Sequence, residues 1–588
     1  MPEHGRHFLS KISAAAADDE SSRSLRILFL VSAHNGLSQR AWIALRELGH
    51  DVRVAVVDGG AAMEAAVTEH DPELIVCPFL KTLIPESIWG RWRCLVVHPG
   101  PHGDRGPSSL DWAIELGMRE WGVTVLQANG EFDAGEVLAT RSFRMRGAGK
   151  ASLYRHEVRR AAIEALQDAL RDIAGGGSDR ESRRIPTGQA RPLMKQSVRA
   201  INWNVDDTDA VIRKLRSAEG HPGVLDTIAG TDFYLFGVHR ERGLGGRAGD
   251  IVAQRGGAIC RATIDGAVWI AQLKQRDTPT RRYFKLPASR ALELAGIDLG
   301  LPEITAPIEA RLRAEDTYRE IVYEEHERVG YLQFDFAGGA MSTDQCVRLR
   351  EAYSHARRQR DTRVIVLAGG EDYFSNGIHL NVIEAADDPA AESWRNLVAI
   401  DDLVCDIVET DSHLVISALA GDAGAGGVPL ALAADYVVGR EDLVLNPYYR
   451  HMGGLYGSEY WTYLLPRRVG AATAVQLTQA PFNPLGAGEA VRIGVLDAAF
   501  GADLEGFWVR TRRLAERVAS DGLHRARLED KRRRRAYDER VKPLHAYRTE
   551  ELARCRECFF GPERSYHEAR RRFVHKLPAT AARLRQAA

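Results

Sequence analysis

Cysteine is scarce in this chain: 7 residues in 588. A small secreted fold stapled by disulfides would carry far more, so bridges are not what holds it together. Cys77, Cys94 and Cys405 stand in apolar runs and read as buried thiols. Cys555 and Cys558 form a lone CxxC without the second pair a zinc site wants, and no metal is expected. An excess of one charge is also missing. Lys and Arg total 79 against 80 Asp and Glu, a net charge of -1. Nothing in that balance argues for nucleic acid or an acidic membrane surface. No apolar run approaches the ~20 residues of a membrane helix. Residues 1–24 lack the apolar stretch of a secretory signal and read as a flexible tail, so the expected location is the cytoplasm. The first strand is followed by SAHNGLSQR rather than GxGxxG, which argues against a standard dinucleotide site.

What is present is a long chain of alternating elements. A length of 588 residues exceeds what one core can hold. From residue 25, LRILFLVS, DVRVAVVDGG, ELIVCPFL and RCLVVHPG read as strands with helices between them. That rhythm predicts an open, Rossmann-like parallel sheet over 25–190, with a Gly/Ser/Arg-rich linker at 175–190. Residues 191–300 contain one helix and several short strands with glycine turns, a small β-barrel module. A third α/β unit spans 315–515, and 516–588 is a charged helical extension. The fold class is α/β multidomain.

Two places carry chemistry. His98 closes the apolar strand RCLVVH, where ligands bind at the carboxyl ends of an open sheet. Asp133 stands in a turn after GVTVLQANG, and an Asp beside a His orients it or raises its pKa. Taken alone, a strand-end His is commonly structural, and an Asp before Gly commonly makes a turn. The surrounding motif changes the weight. HPGPHGDRGPSSLDWA followed by GVT and DAG resembles the 10-formyltetrahydrofolate-dependent formyltransferases, over about 25–300. The resemblance implies His98 and Asp133 as catalytic residues. It implies that Lys81, Leu83 and Ile84 of CPFLKTLIP, with Gly103 and Arg105, border the folate. The family's third catalytic residue, an Asn, falls on Val96. That departure removes an oxyanion donor usually worth roughly 2.7–4 kcal/mol. The loop after His98 is also one residue short; the His102 side chain and the amides near Gly103 are the candidate substitutes.

The second place lies in EDYFSNGIHLN (371–381) and AGDAGAGGVPLALAAD (420–435). Gly-rich turns at helix starts can aim two backbone N–H groups at one carbonyl oxygen. In this order they resemble the crotonase (enoyl-CoA hydratase/isomerase) family over about 318–515. The resemblance implies that the Ile378 and Gly426 amides hold a coenzyme A thioester, with Phe374, Ser375 and Gly377 lining its site. The hydratase acids are absent. One position falls on Pro429, which cannot carry a proton, and the other at or near Tyr449. Tyr449 and Glu459 are the remaining acid/base candidates. The basic run DKRRRR (530–535) reads as a solvated helix face or as a contact for CoA phosphates.

The pairing of the two halves resembles the HoxX-type hydrogenase maturation proteins over nearly the whole chain. That resemblance implies a two-step use of 10-formyltetrahydrofolate. Formyl passes to CoA, and formyl-CoA is split into CoA and the carbon monoxide ligand of a [NiFe] site. The hydrogenase large subunit or its maturation complex is the implied partner. Two other readings stay open. One is a formyltransferase acting on a sugar-nucleotide amine, with an independent acyl-CoA domain. The other is a non-catalytic scaffold that binds folate and CoA.

Overall fold

The computed structural model describes residues 23–175, 187–301, 303–308, 317–479 and 484–577. Most of the expected N-terminal tail and most of the 175–190 linker lie outside the described residues.

The first unit is a six-stranded sheet. Arg26–Val31, Asp51–Val56, Leu74–Cys77 and Cys94–His98 run parallel. The last two strands, Glu120–Gln127 and Val137–Arg144, are antiparallel to their neighbours. The all-parallel expectation therefore fails at one edge. There a hairpin replaces the helical crossover that a parallel pair requires. The strands are apolar on both faces because helices cover both: Phe29, Val76 and Val97 face one core, and Leu28, Ile75 and Cys94 the other.

The barrel-like module follows with antiparallel strands in the order Val224–Ile228, Thr231–Glu241, Ala267–Gln275, Ala258–Ala262, Ile251–Arg255. Its core closes over the helix Thr208–Ser217, which is capped by the Asp207 side chain. The third unit has two sheets. Six strands, Ile321–His326 to Ala498–Ala499, form the larger, and Tyr373–Ser375, Asp422–Gly424, Val444–Asn446 and Leu485–Gly486 the smaller. The helix Leu504–Ser520 runs through residue 515, and Leu544, Cys555, Phe559 and Tyr566 of the extension are buried in the same core as the sheets. The extension thus packs as part of the third unit.

Ion pairs dock the first unit on the third. A π-helical turn, Tyr154–Val158, leads into the helix Arg159–Ile173. From this segment Arg155 and His156 each lie 3.0 Å from Asp372, and Arg159 lies 2.9 Å from Asp422. Buried charges persist only when paired, so this contact fixes one relative placement of the two units.

Candidate active centres

His98 ends its strand with 4 % of its surface exposed. The Pro99-Gly100 turn behind it is held at three points: Ser109 Oγ and Trp121 Nε1 donate to the Pro99 carbonyl, and Thr124 Oγ1 to that of Gly100. Both imidazole nitrogens meet carboxylates. Nδ1 is 3.2 Å from Asp133, and Nε2 is 2.9 Å from Asp104. Asp133 sits at φ 53°, a left-handed conformation that a short polar residue tolerates, and accepts the Gly106 N–H. Burial alone would depress the imidazole, but the hydrogen bonds to Asp104 and Asp133 and their charges outweigh it and push it up to about 9. Desolvation would raise the Asp133 carboxyl. The hydrogen bond and charge of His98 outweigh it and hold the group below its usual range.

Asp104 was not foreseen from sequence. It folds back across the turn, and Gly100 makes the approach possible: a Cβ there would stand 2.3 Å from Asp104 Oδ2 and 2.5 Å from His98 Nε2. Arg191 reaches over from beyond the linker to bond Asp104 Oδ1 at 3.1 Å. The amides of Thr187 and Gly188 donate to the His102 carbonyl, and that of Arg191 to Arg105. The His102 Nδ1 is buried without a partner. Gly103, at φ 89°, gives the shortened loop its turn, while Arg105 is exposed. Of the expected folate-bordering residues, Lys81 and Leu83 are exposed and Ile84 is buried in the sheet's second core. Val96 lies on the same strand two residues before His98, hence on the same face.

The second centre lines a cavity of about 1040 Å³. Its walls come from all three units: His34, Gln39 and Arg155 from the first, Arg216, His239 and Lys285 from the second, and Tyr373, Ile378, Gly426, Tyr449 and Glu459 from the third. Gly377 and Gly426 abut, since a Cβ on Gly377 would stand 3.2 Å from the Gly426 nitrogen. Neither the Ile378 nor the Gly426 N–H has a protein acceptor among the described residues. Ala425, just before Gly426, is held at φ 43°. Phe374 and Ser375 do not line the cavity. Phe374 packs edge-on against Phe334, and Ser375 Oγ accepts the Gly377 N–H, so both support the turn from behind.

Tyr449 and Glu459 meet as a pair, the phenol donating to Glu459 Oε2 at 2.8 Å. Glu459 is 2 % exposed, and its Oε1 lies against Gly426, where a Cβ would come within 2.1 Å of it. Burial, reinforced by the charge of Asp401, pushes the Glu459 carboxyl up to about 8. Burial and the neighbouring Glu459 carry the Tyr449 phenol well above its usual range. Pro429 is buried in the helix Gly427–Leu432. Cys555 donates to the Gly457 carbonyl, and no cluster that could hold a metal exists among the described residues. Much of the basic run is paired: Lys531 with the distant Asp435, and locally Arg533 and Arg534 with Asp530 and Arg535 with Glu539. None of it lines the cavity.

The formyl transferase family matches residues 55–170, its C-terminal domain 193–282, and the enoyl-CoA hydratase/isomerase family 327–579. The hydrogenase maturation factor HoxX of Bradyrhizobium diazoefficiens is 46 % identical over 558 residues, covering 94 % of this chain and 95 % of that protein. The chain belongs to the HoxX family of hydrogenase maturation factors. The structure of HypX from Aquifex aeolicus in complex with tetrahydrofolic acid superimposes with a TM-score of 0.89 at 40 % identity, covering 95 % of this chain and 97 % of that one. The methionyl-tRNA formyltransferase of Geobacter metallireducens is 24 % identical over 214 residues, 36 % of this chain and 72 % of that protein. No helix among the described residues is long and apolar enough to cross a membrane.

Proposed function

We propose that the chain makes carbon monoxide for a [NiFe]-hydrogenase from 10-formyltetrahydrofolate, with coenzyme A as the carrier between its two centres. The observation that carries this reading is the cavity of the second centre, which the first unit also walls, although His98, Asp104 and Asp133 do not line it. It is large enough for an extended nucleotide thioester and is bordered by all three units. Arg216, Lys285 and Lys576 line it without a carboxylate partner among the described residues, as phosphate groups would require. Its lining holds the Ile378 and Gly426 amides and, against Gly426, the Tyr449–Glu459 pair.

In the first step the CoA sulfur bonds to the formyl carbon and the bond from that carbon to N10 of the folate breaks. The departing nitrogen takes the proton that His98 stores between Asp104 and Asp133, and the proton lost by the CoA thiol restores it. In the second step the formyl oxygen sits on the Ile378 and Gly426 amides. Formyl-CoA has no α-carbon, so the enolate route of hydratases is closed to it. Loss of the formyl hydrogen as a proton leaves its electron pair on carbon, the C–S bond breaks with its pair on sulfur, and the thiolate takes up a proton. Glu459 and Tyr449 are the groups placed for these transfers: the Glu459 carboxyl, protonated at rest, gives its proton to the leaving sulfur and, as the carboxylate so formed, takes the formyl proton. The products are carbon monoxide and CoA, and the recipient is the hydrogenase large subunit or its maturation complex.

The test is carbon monoxide in the headspace, read by haem-protein spectroscopy, from protein freed of bound CoA. Release that requires both 10-formyltetrahydrofolate and CoA is expected. Formylation of an amine acceptor with no carbon monoxide would overturn the reading.

A further inference from the structure

The turn at 458–462 that presents Glu459 is gripped by two buried carboxyl groups from distant parts of the chain. Glu459 and Tyr460 are consecutive non-glycine residues at φ 60° and 58°. Such a pair is costly unless the surroundings enforce it. Asp401, on the helix Pro389–Val408, accepts the Glu459 N–H at 2.8 Å and the Ser458 hydroxyl at 2.7 Å. Glu551, on the extension helix Leu544–Phe560, accepts the Tyr460 N–H at 2.9 Å and the Thr462 N–H at 2.8 Å. The Thr462 hydroxyl adds a third bond to Glu551. Both carboxyl groups are fully buried, at 0 % exposure. Burying an acid is expensive, and backbone amides at a helix start could be capped by water or serine at far lower cost. Here the N-terminus of the helix Trp461–Val469 has no side-chain cap of its own, and Glu551 takes that place from 89 residues away.

We infer that Glu551 is a positioning residue for Glu459, so that the C-terminal extension forms part of the second centre. Its two oxygens hold the amides on the far side of the strained turn while Asp401 holds the near side. Glu459 Oε1 is thereby fixed against Gly426, and Oε2 on the Tyr449 phenol. The inference rests on the proposed role of Glu459 in splitting formyl-CoA.

Electrostatics follow the same geometry. The titratable groups around Glu459 are Tyr449, Asp401, Glu551, Cys346 and Cys555, and Arg548 lies 3.8 Å from Asp401 and is bonded to Asp402. Glu551 is itself pushed up to about 8 by burial and by Asp401. Removing an acid from this group relieves Glu459.

Glu551→Gln supplies one acceptor where two amides need two. With formyl-CoA supplied directly, its kcat for carbon monoxide release is expected to fall at least ~10-fold, with KM within about twofold, as for a misplaced proton carrier. The limb of its pH profile near 8 moves to lower pH. Thr462→Val, which deletes only the hydroxyl contact, gives a smaller change of the same sign and serves if Glu551→Gln does not fold. The protonation midpoint of Glu459 is read independently by infrared titration of its carboxyl band, assigned with Glu459→Gln. Folded variants with unchanged kcat and pH limb would overturn the inference. If wild-type protein releases no carbon monoxide, the functional reading fails, and the infrared midpoint alone decides: a shift in Glu551→Gln sustains the positioning role, and no shift ends it.

Discussion

The two centres use the same ingredient, carboxyl groups packed around one titrating group, and reach different charge states. At His98, burial works against the proton and two adjacent carboxylates overcome it, so the stored proton makes a cation. At Glu459, burial and Asp401 act in the same direction, so the stored proton makes a neutral acid. Both groups hold a proton at neutral pH. The first suits protonation of a departing nitrogen, whereas the second suits a site where an uncharged carbonyl must bind before anything ionises.

The sharpest way to break this comparison is to remove each group in turn. Glu459→Gln is expected to lower carbon monoxide release from supplied formyl-CoA by ~10²–10⁴-fold, the range for a lost proton carrier, while leaving formyl transfer from folate intact. His98→Ala is expected to do the reverse, over the same range. Loss of both steps in either variant would merge the centres into one. Asp104→Asn sharpens the account of the first centre. Removing one carboxylate lowers the His98 midpoint from about 9, by ~1 unit or more given a charge at 2.9 Å, read from the imidazole proton shifts in NMR. The alkaline limb of formyl transfer follows it down. An unmoved midpoint would mean that Asp133 alone sets the charge.

The smallest expected effect is on stability. The folded-state pKa of His98 lies above its ordinary 6.5, so its contribution is complete below 6.5 and lost as pH rises through about 9. Glu459 is raised from 4.5 to about 8, so its burial destabilises increasingly between those values. Both slopes have the same sign. The Tm of wild-type protein should therefore fall from pH 6.5 to 9 more steeply than that of the double variant His98→Gln, Glu459→Gln. Parallel curves would show that other groups dominate the window.

The candidate groups were legible in the sequence because local motifs carry them, weighted by their resemblance to two families. His98 follows an apolar strand, Asp133 sits between turn residues, and Glu459 lies ten residues after Tyr449 beyond a run of glycines. The groups that tune them were not. Asp104 is close in sequence but reaches His98 only because Gly100 lets the loop fold back. Arg191, Asp401 and Glu551 arrive from 87, 58 and 91 residues away, through packing that no short window records. Strand-helix alternation gave the layered fold but not the antiparallel edge, because a short helix precedes both a crossover and a hairpin. Charge density around 530–535 suggested a solvated face, and the helix His524–Val541 that carries it buries no residue, whereas the later helices bury Leu544, Cys555, Phe559 and Tyr566 in the third unit's core. Within the basic run Lys531, Arg533, Arg534 and Arg535 are in ion pairs, and none of it lines the cavity.

The most direct test of the central claim, that one formyl carbon passes from the first centre to the second on CoA, is a rescue experiment with labelled substrate. His98→Ala protein is given 10-formyltetrahydrofolate and CoA, then formyl-CoA carrying ¹³C in the formyl group. The account predicts little carbon monoxide from the first mixture and ¹³CO at the wild-type rate from the second, with Glu459→Gln giving none from either. Failure of formyl-CoA to rescue His98→Ala, while wild-type protein makes carbon monoxide from formyl-folate, would contradict the carrier role and with it the division of labour between the two centres.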